Sequence, residues 1–354
     1  MPSFSRFPTL IAAMLATVAV AAASCGSDSG GASSAPTTDT AAPTTGAPTT
    51  AAPTTAAPTT TVAPDPRAGR PFGVTTSQLT FVDATRETPA SDFTASVADR
   101  TIGVWLTLPD GAEAAPLIVF SHGMAGHPRK FEDLHTRWAE AGYAVAAPVF
   151  PLSNDGVEGS FFNSHDVPNQ PGDVTFVLDQ LLEMSADESN DLFGLFDPER
   201  IAASGLSAGG FTTYDAAVSA ESRDARFLAA VVMSARATAG LRGDDSSESG
   251  AADLPVMVLH GDADPLIPVA SAEEAFGLLR APRVLIVLLG GGHAGPFEDA
   301  DDGFEPQVEG HADLVFDATV AFWDRYLLDL DEAEAEMVAA ASRDGLSTVE
   351  IDLG

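Results

Sequence analysis

The chain has 354 residues, a formal net charge of −34, 45% hydrophobic residues and 19% charged residues. That apolar fraction is enough to bury a core, which excludes a wholly disordered chain. The acidic balance excludes a nucleic-acid binder and electrostatic docking on anionic lipid heads, both of which need Lys and Arg, and the single cysteine, Cys25, excludes an intrachain disulfide and a Cys-based zinc site.

Residues 1–24 read as an export leader. Arg6 precedes an apolar run from Leu10 to Ala23, which is too short to span a bilayer as a helix of about 20 residues. The run ends in Ala22-Ala23-Ser24-Cys25-Gly26. Small residues before a cysteine resemble a bacterial lipoprotein cleavage site, with Cys25 as the lipidated first residue of the mature chain. The alternative is an ordinary signal peptide cleaved nearby. Either way the protein is expected to be exported, and any membrane contact to be a lipid anchor at Cys25. Residues 25–69 read as a linker. Ala-Pro-Thr-Thr starts at Ala35, Ala42, Ala47, Ala52 and Ala57. Such a tract offers no large side chain to bury and stays extended.

From residue 70 to 330 strand-like runs alternate with helical patterns. Strands are expected over Gln78–Asp83, Thr101–Leu108, Leu117–Ser121, Ala144–Pro148, Ile201–Gly205, Phe227–Met233, Val256–His260 and Val284–Leu289. Continuous apolar runs such as Leu117-Ile118-Val119-Phe120 suit parallel strands covered on both faces. Helical spacing covers Arg129–Ala141, Pro171–Met184, Ala208–Ser219, Ser271–Leu279 and Ala312–Leu328. The alternation predicts one α/β domain with a doubly wound, mostly parallel, eight-stranded sheet. Its first two strands are expected to form an antiparallel edge hairpin. Residues 331–354, opening Asp331-Glu332-Ala333-Glu334-Ala335-Glu336, read as a solvated acidic tail.

Three motifs follow the ends of predicted strands. Gly205-Leu206-Ser207-Ala208-Gly209-Gly210 lies between a strand and a helix, the context of a nucleophile elbow. Glycines two residues either side of Ser207 relieve a tight turn, and the helix N-terminus favours developing negative charge. A serine hydroxyl needs an imidazole to take its proton, and the imidazole needs a carboxylate to fix its tautomer. Those groups follow in the order acid, then histidine. His260-Gly261-Asp262-Ala263-Asp264 ends one strand, and Gly290-Gly291-Gly292-His293 ends the next. By position alone, Asp262 and Asp264 are both open as the acid. His122 and His260 lie beside glycines at strand ends and suit structural hydrogen bonds. His127, His135, His165 and His311 lack metal-ligand spacing, and the acidic run Asp299-Ala300-Asp301-Asp302-Gly303 lacks the pattern of a calcium loop, so no metal or cofactor is expected.

With these motifs residues 72–330 resemble the α/β-hydrolase superfamily, within it the secreted esterases of the platelet-activating-factor acetylhydrolase, chlorophyllase and cutinase-type polyester hydrolase group. The resemblance implies Ser207 as nucleophile, Asp264 as acid and His293 as base. It implies an oxyanion hole from the backbone N–H groups of Met124, in Ser121-His122-Gly123-Met124-Ala125-Gly126, and Ala208. Only Ser234–Asp253 separates the sixth and seventh strands, and it is polar, so no large lid is expected. Phe162, Ile267 and Phe297, with Met124, Phe211 and Leu266, are expected to wall a small apolar substrate pocket. The expected function is an extracellular serine carboxylesterase for short-to-medium acyl esters, small or polymeric, acting as a monomer. A peptidase or amidase of the same fold, or a non-catalytic surface-binding lipoprotein, would share much of this sequence.

Overall fold

Apolar runs with no polar alternation can be buried only from two sides, and the central strands are covered that way. The protein is described by a computed structural model covering residues 65–243, 250–299 and 305–354. The leader, Cys25 and the linker up to residue 64 lie outside the described residues.

Among the described residues nine strands form one sheet: β1 (Val74–Asp83), β2 (Arg100–Pro109), β3 (Ala115–Ser121), β4 (Ala144–Val149), β5 (Phe196–Leu206), β6 (Phe227–Met233), β7 (Val256–Gly261), β8 (Arg283–Leu288) and β9 (Ser347–Asp352). The order is β1-β2-β4-β3-β5-β6-β7-β8-β9. From β4 to β8 neighbouring strands are parallel, and β1, β2 and β9 join antiparallel at the two edges. The helices are α1 (Glu132–Glu140), α2 (Gln170–Ala186), α3 (Ala208–Thr213), α4 (Ala239–Arg242), α5 (Ala270–Leu278), α6 (His311–Tyr326) and α7 (Glu332–Ala341). Side chains on β3 alternate between two cores. Leu117 and Val119 pack with α2 and α5, whereas Ile118 and Phe120 pack with α1, α6 and α7. The chain leaves β3 for β4 on one side and returns to β5 on the other. A crevice opens at such a reversal, outside the carboxyl ends of the two strands.

Three expectations are corrected. The sheet has nine strands, not eight. Residues 331–354 are not a solvated tail but α7 and β9. Beneath the acidic surface of α7, Ala333, Met337 and Ala341 recur every four residues and are buried, and β9 pairs with β8 along six residues. The linker also ends earlier than residue 69. Arg67 pairs with Asp324 at 3.0 Å and Glu336 at 2.9 Å, and Arg70 donates two bonds to Asp324.

Arg100, the first residue of β2, is fully buried. Its guanidinium donates to Asp173 at 2.6 Å twice and to Asp166 at 2.9 and 3.0 Å. Asp166 sits in the 3-10 turn Ser164–Asn169, and Asp173 in the first turn of α2. One side chain thus ties the segment after β4 to the sheet. Arg100→Met strips two buried carboxylates of their shared guanidinium, leaving Asp173 with Arg86 at 3.0 Å and Asp166 with the Asn169 amide at 3.0 Å, and is expected to lower unfolding free energy by about 3–5 kcal/mol in urea titrations. A loss below about 1 kcal/mol would mean that the cluster is open to water.

His135 of α1 is stacked among Phe120, Phe131 and Trp138, with its Nε2 unpartnered. Burial pushes its pKa down to about 3. The unfolded chain therefore takes the proton first, and this contribution to stability is whole at pH 7 and is lost as pH falls from about 6.5 toward about 3. His135→Phe removes that loss. The stability difference between variant and wild type is expected to shift by about 2 kcal/mol in the variant's favour from pH 7 to pH 5. Parallel stability–pH curves would contradict this origin.

Candidate active site

Four loops leave one edge of the sheet, at the carboxyl ends of β3, β5, β7 and β8. The first is the turn from β5 into α3. Ser207 has φ 58° and ψ −116°, a conformation that costs a non-glycine residue about 1–3 kcal/mol. Hydrogen bonds enforce it: Ser207 N–H donates to Met233 O at 2.9 Å, and Phe211 N–H donates to Ser207 O at 3.1 Å. The flanking glycines are required. A Cβ at residue 205 would overlap the Gly209 carbonyl, and one at residue 209 would overlap the Ser121 carbonyl. The turn leaves the Ser207 side chain partly exposed at the N-terminus of α3. Behind it, Thr212 donates to Gln170 at 2.6 Å and Gln170 to Ser153 at 2.9 Å, which fastens α3 to α2 and to the loop after β4.

The second loop follows β3. His122 is buried, and its imidazole bonds Gly123 O at 2.8 Å and accepts from Phe150 N–H at 3.2 Å. Both bonds require the neutral Nδ1–H tautomer, and burial pushes its pKa down to about 4. His122 is thus a structural post, as its place beside a glycine suggests. Gly123 passes over the serine: a Cβ there would lie 3.2 Å from Ser207 Cβ. The turn closes through Gly126 N–H to Gly123 O at 3.0 Å, with Ala125 at φ 51°. Met124 N–H donates to no backbone or side-chain acceptor among the described residues. Ala208 begins α3, where an N–H has no intrahelical acceptor.

The third and fourth loops bring the acid and the histidine together. His293 Nδ1 lies 2.7 Å from Asp264 Oδ2. Asp264 Oδ1 accepts from Leu266 N–H at 2.7 Å and Ile267 N–H at 2.9 Å. Sequence reasoning missed a further partner. His260 Nε2 reaches the same Oδ2 at 3.2 Å while bonding Ile267 O at 2.8 Å. Burial raises the Asp264 carboxyl, but hydrogen bonds from His260 and His293 outweigh it and hold the group well below the usual carboxylate range. Asp264 therefore stays anionic, which keeps the proton of His293 on Nδ1 and its Nε2 free to accept. Asp262 turns elsewhere. It accepts from Gly290 N–H at 2.6 Å and pins the loop that carries His293. Glu305, also not foreseen, accepts from Ala294 N–H at 2.7 Å and Gly295 N–H at 3.1 Å on the far side of that loop. Among the described residues Ser207 and His293 share no hydrogen bond; such bonds are often long until substrate binds.

The three residues expected to wall the pocket differ in their surroundings. Phe162 is 59% exposed, edge-on to Phe161 at 5.7 Å. Ile267 is buried, with its backbone committed to Asp264 and His260. Phe297 is also buried: after the turn closed by Phe297 N–H to Ala294 O at 2.9 Å, its ring joins the core shared with Leu134 and Val315. Among the described residues no three His, Cys, Asp or Glu side chains converge as a metal site requires, and no helix is long and apolar enough to cross a membrane. No family model matches the chain, and no curated protein matches it.

Proposed function

We propose that the protein is a serine hydrolase of the α/β-hydrolase type, acting on carboxylic esters outside the cell. The observation that carries this reading is the strained Ser207 after β5, at the same edge of the sheet as His293, which a buried, anionic Asp264 orients. A strained serine with no reacting partner would cost stability for nothing.

In this reading Ser207 Oγ attacks the ester carbonyl carbon and His293 Nε2 takes its proton. The Met124 and Ala208 N–H groups hold the oxyanion, each donor contributing about 10²–10³ in rate. His293 then returns the proton to the departing alcohol as the acyl–oxygen bond breaks. Water, deprotonated by the same imidazole, releases the acid and restores Ser207. Asp264 orients His293 and remains anionic throughout. The short, polar Ser234–Asp253 segment supports an uncapped site, hence soluble esters with short-to-medium acyl groups. The leader and Cys25 support export and a lipid anchor. The test is hydrolysis of p-nitrophenyl acetate, butyrate and octanoate by the full-length chain. Turnover of the two shorter esters is expected, and no turnover of any of the three would refute the reading.

A further inference from the structure

A cavity of about 540 Å³ lies not over Ser207 but in a groove beside that crevice. Its floor is the face of the β1–β2 hairpin that carries Gln78, Thr80, Thr101 and Trp105. The strand register sets Gln78 opposite Trp105 and Thr80 opposite Gly103. Gly103 stands between Thr101 and Trp105 on that face and adds no side chain between them, with Val149 of β4 beside it. Trp105 is half-buried and meets the His127 ring edge-on, with centroids 5.3 Å apart.

The walls and the floor are built differently. Groups in the walls are already committed. The 88–97 loop closes through Thr88 N–H to Val97 O at 2.9 Å and Val97 N–H to Thr88 O at 3.0 Å, and Thr88 Oγ1 donates to Asp99 O at 3.0 Å. On the other wall Asn154 donates to Phe150 O at 2.7 Å and accepts from Gly156 N–H at 2.9 Å. On the floor, the side chains of Gln78, Thr80 and Thr101 and the Trp105 indole N–H make no hydrogen bond within the protein among the described residues. The groove is therefore a fixed trough whose base offers an aromatic face and several free donors and acceptors.

That set selects a ligand chemistry. A flat π-face attracts the C–H faces of a pyranose ring, and neighbouring hydroxyl and amide groups match its equatorial hydroxyls. The lining holds no Lys or Arg, its one carboxylate is Asp99, and His127 has its imidazole pKa pushed down by burial and by nearby Arg129. An anion would find no counter-charge, and a long acyl chain would leave the polar floor unsatisfied. We propose that this groove binds an uncharged saccharide.

Its position suggests which part of a substrate the saccharide supplies. β2 runs antiparallel to β4, so Gly103 and Thr101 lie at the edge where β4 ends in Val149. That is the edge bearing Ser207. Asp155, next in the chain to the wall residue Asn154, donates its N–H to Gly126 O at 3.0 Å, in the loop that covers Ser207. The saccharide is thus the alcohol part of the ester, a clause that rests on the esterase reading.

Binding of neutral hexasaccharides (cello-, xylo- and malto-series) to the full-length chain is read by calorimetry, with an oligogalacturonate as the anionic control. Saturable binding to at least one neutral series is expected, weakened about tenfold or more by Trp105→Ala. Gly103→Val keeps the indole but fills the trough; its Cβ would lie 3.6 Å from Val149, ordinary contact. It is expected to weaken binding by a similar factor. Absence of saturable binding up to about 10 mM, binding that survives both variants with unchanged melting temperatures, or tighter binding of the anionic control would each overturn the proposal. Hydrolysis of an acetylated xylo-oligosaccharide separates the two readings. Saccharide binding without hydrolysis of any ester refutes the esterase alone. Hydrolysis unaffected by Trp105→Ala refutes the groove alone.

Discussion

Ser207→Ala is expected to lower kcat for p-nitrophenyl butyrate by about 10⁶, the scale on which serine hydrolases lose turnover without the nucleophile. The hydroxyl cannot be replaced from nearby. Among the described residues no other serine is held at φ 58°, ψ −116° between β5 and α3 at this crevice. The backbone of the variant should change little, since the strain is enforced by Met233 O, the Phe211 N–H and the two flanking glycines, not by the hydroxyl. Unfolding free energy is expected to stay within about 1 kcal/mol of wild type. Inactivity with intact folding therefore assigns chemistry to Ser207. Activity within tenfold of wild type would remove Ser207 from the mechanism.

Asp264→Asn is the second large effect, about 10⁴ in kcat with little change in KM. The reason lies in how Asp264 is bonded. Oδ1 accepts two backbone N–H groups, so the amide of an asparagine must place its oxygen there. Its NH₂ then faces His293 and His260, both of which give hydrogen bonds to Oδ2 in the native protein. A donor facing His293 Nδ1 favours the tautomer with the proton on Nε2, which cannot accept the proton of Ser207. Asp262→Asn keeps an oxygen for Gly290 N–H and should cost less than about tenfold. If the two variants exchanged these magnitudes, Asp262 would be the orienting acid instead.

What the sequence disclosed depended on the kind of signal involved. Unbroken apolar runs marked β3 and β8 because strands covered on both faces have no polar alternation to obscure them. The turn at Ser207 was legible because its glycines are imposed by clashes with Gly209 and Ser121 carbonyls, a local requirement. The choice between Asp262 and Asp264 was not, since two carboxylates two residues apart differ only in where the loop turns them. The structural hydrogen bond of His260 was legible, but its contact with Asp264 and the part of Glu305 escaped, because each acts across a loop closed by tertiary contacts. The burial of Phe297 was not legible because an aromatic next to a histidine loop has no periodicity to show which way it faces. The last strand and helix were hidden by charge. Glu332, Glu334 and Glu336 dominate the composition, while Ala333, Met337 and Ala341 carry the helical period in mostly small side chains.

The central claim is that Ser207 is an activated nucleophile oriented toward an oxyanion site. Covalent labelling by a fluorophosphonate, followed by peptide mass spectrometry, tests this most directly, because the reagent requires both the activated hydroxyl and the oxyanion donors. The account predicts one adduct per chain, on the peptide containing Ser207, absent in Ser207→Ala and slowed about 10²-fold or more in Asp264→Asn. A folded wild-type protein that takes up no label, or takes it up on another residue, would contradict it.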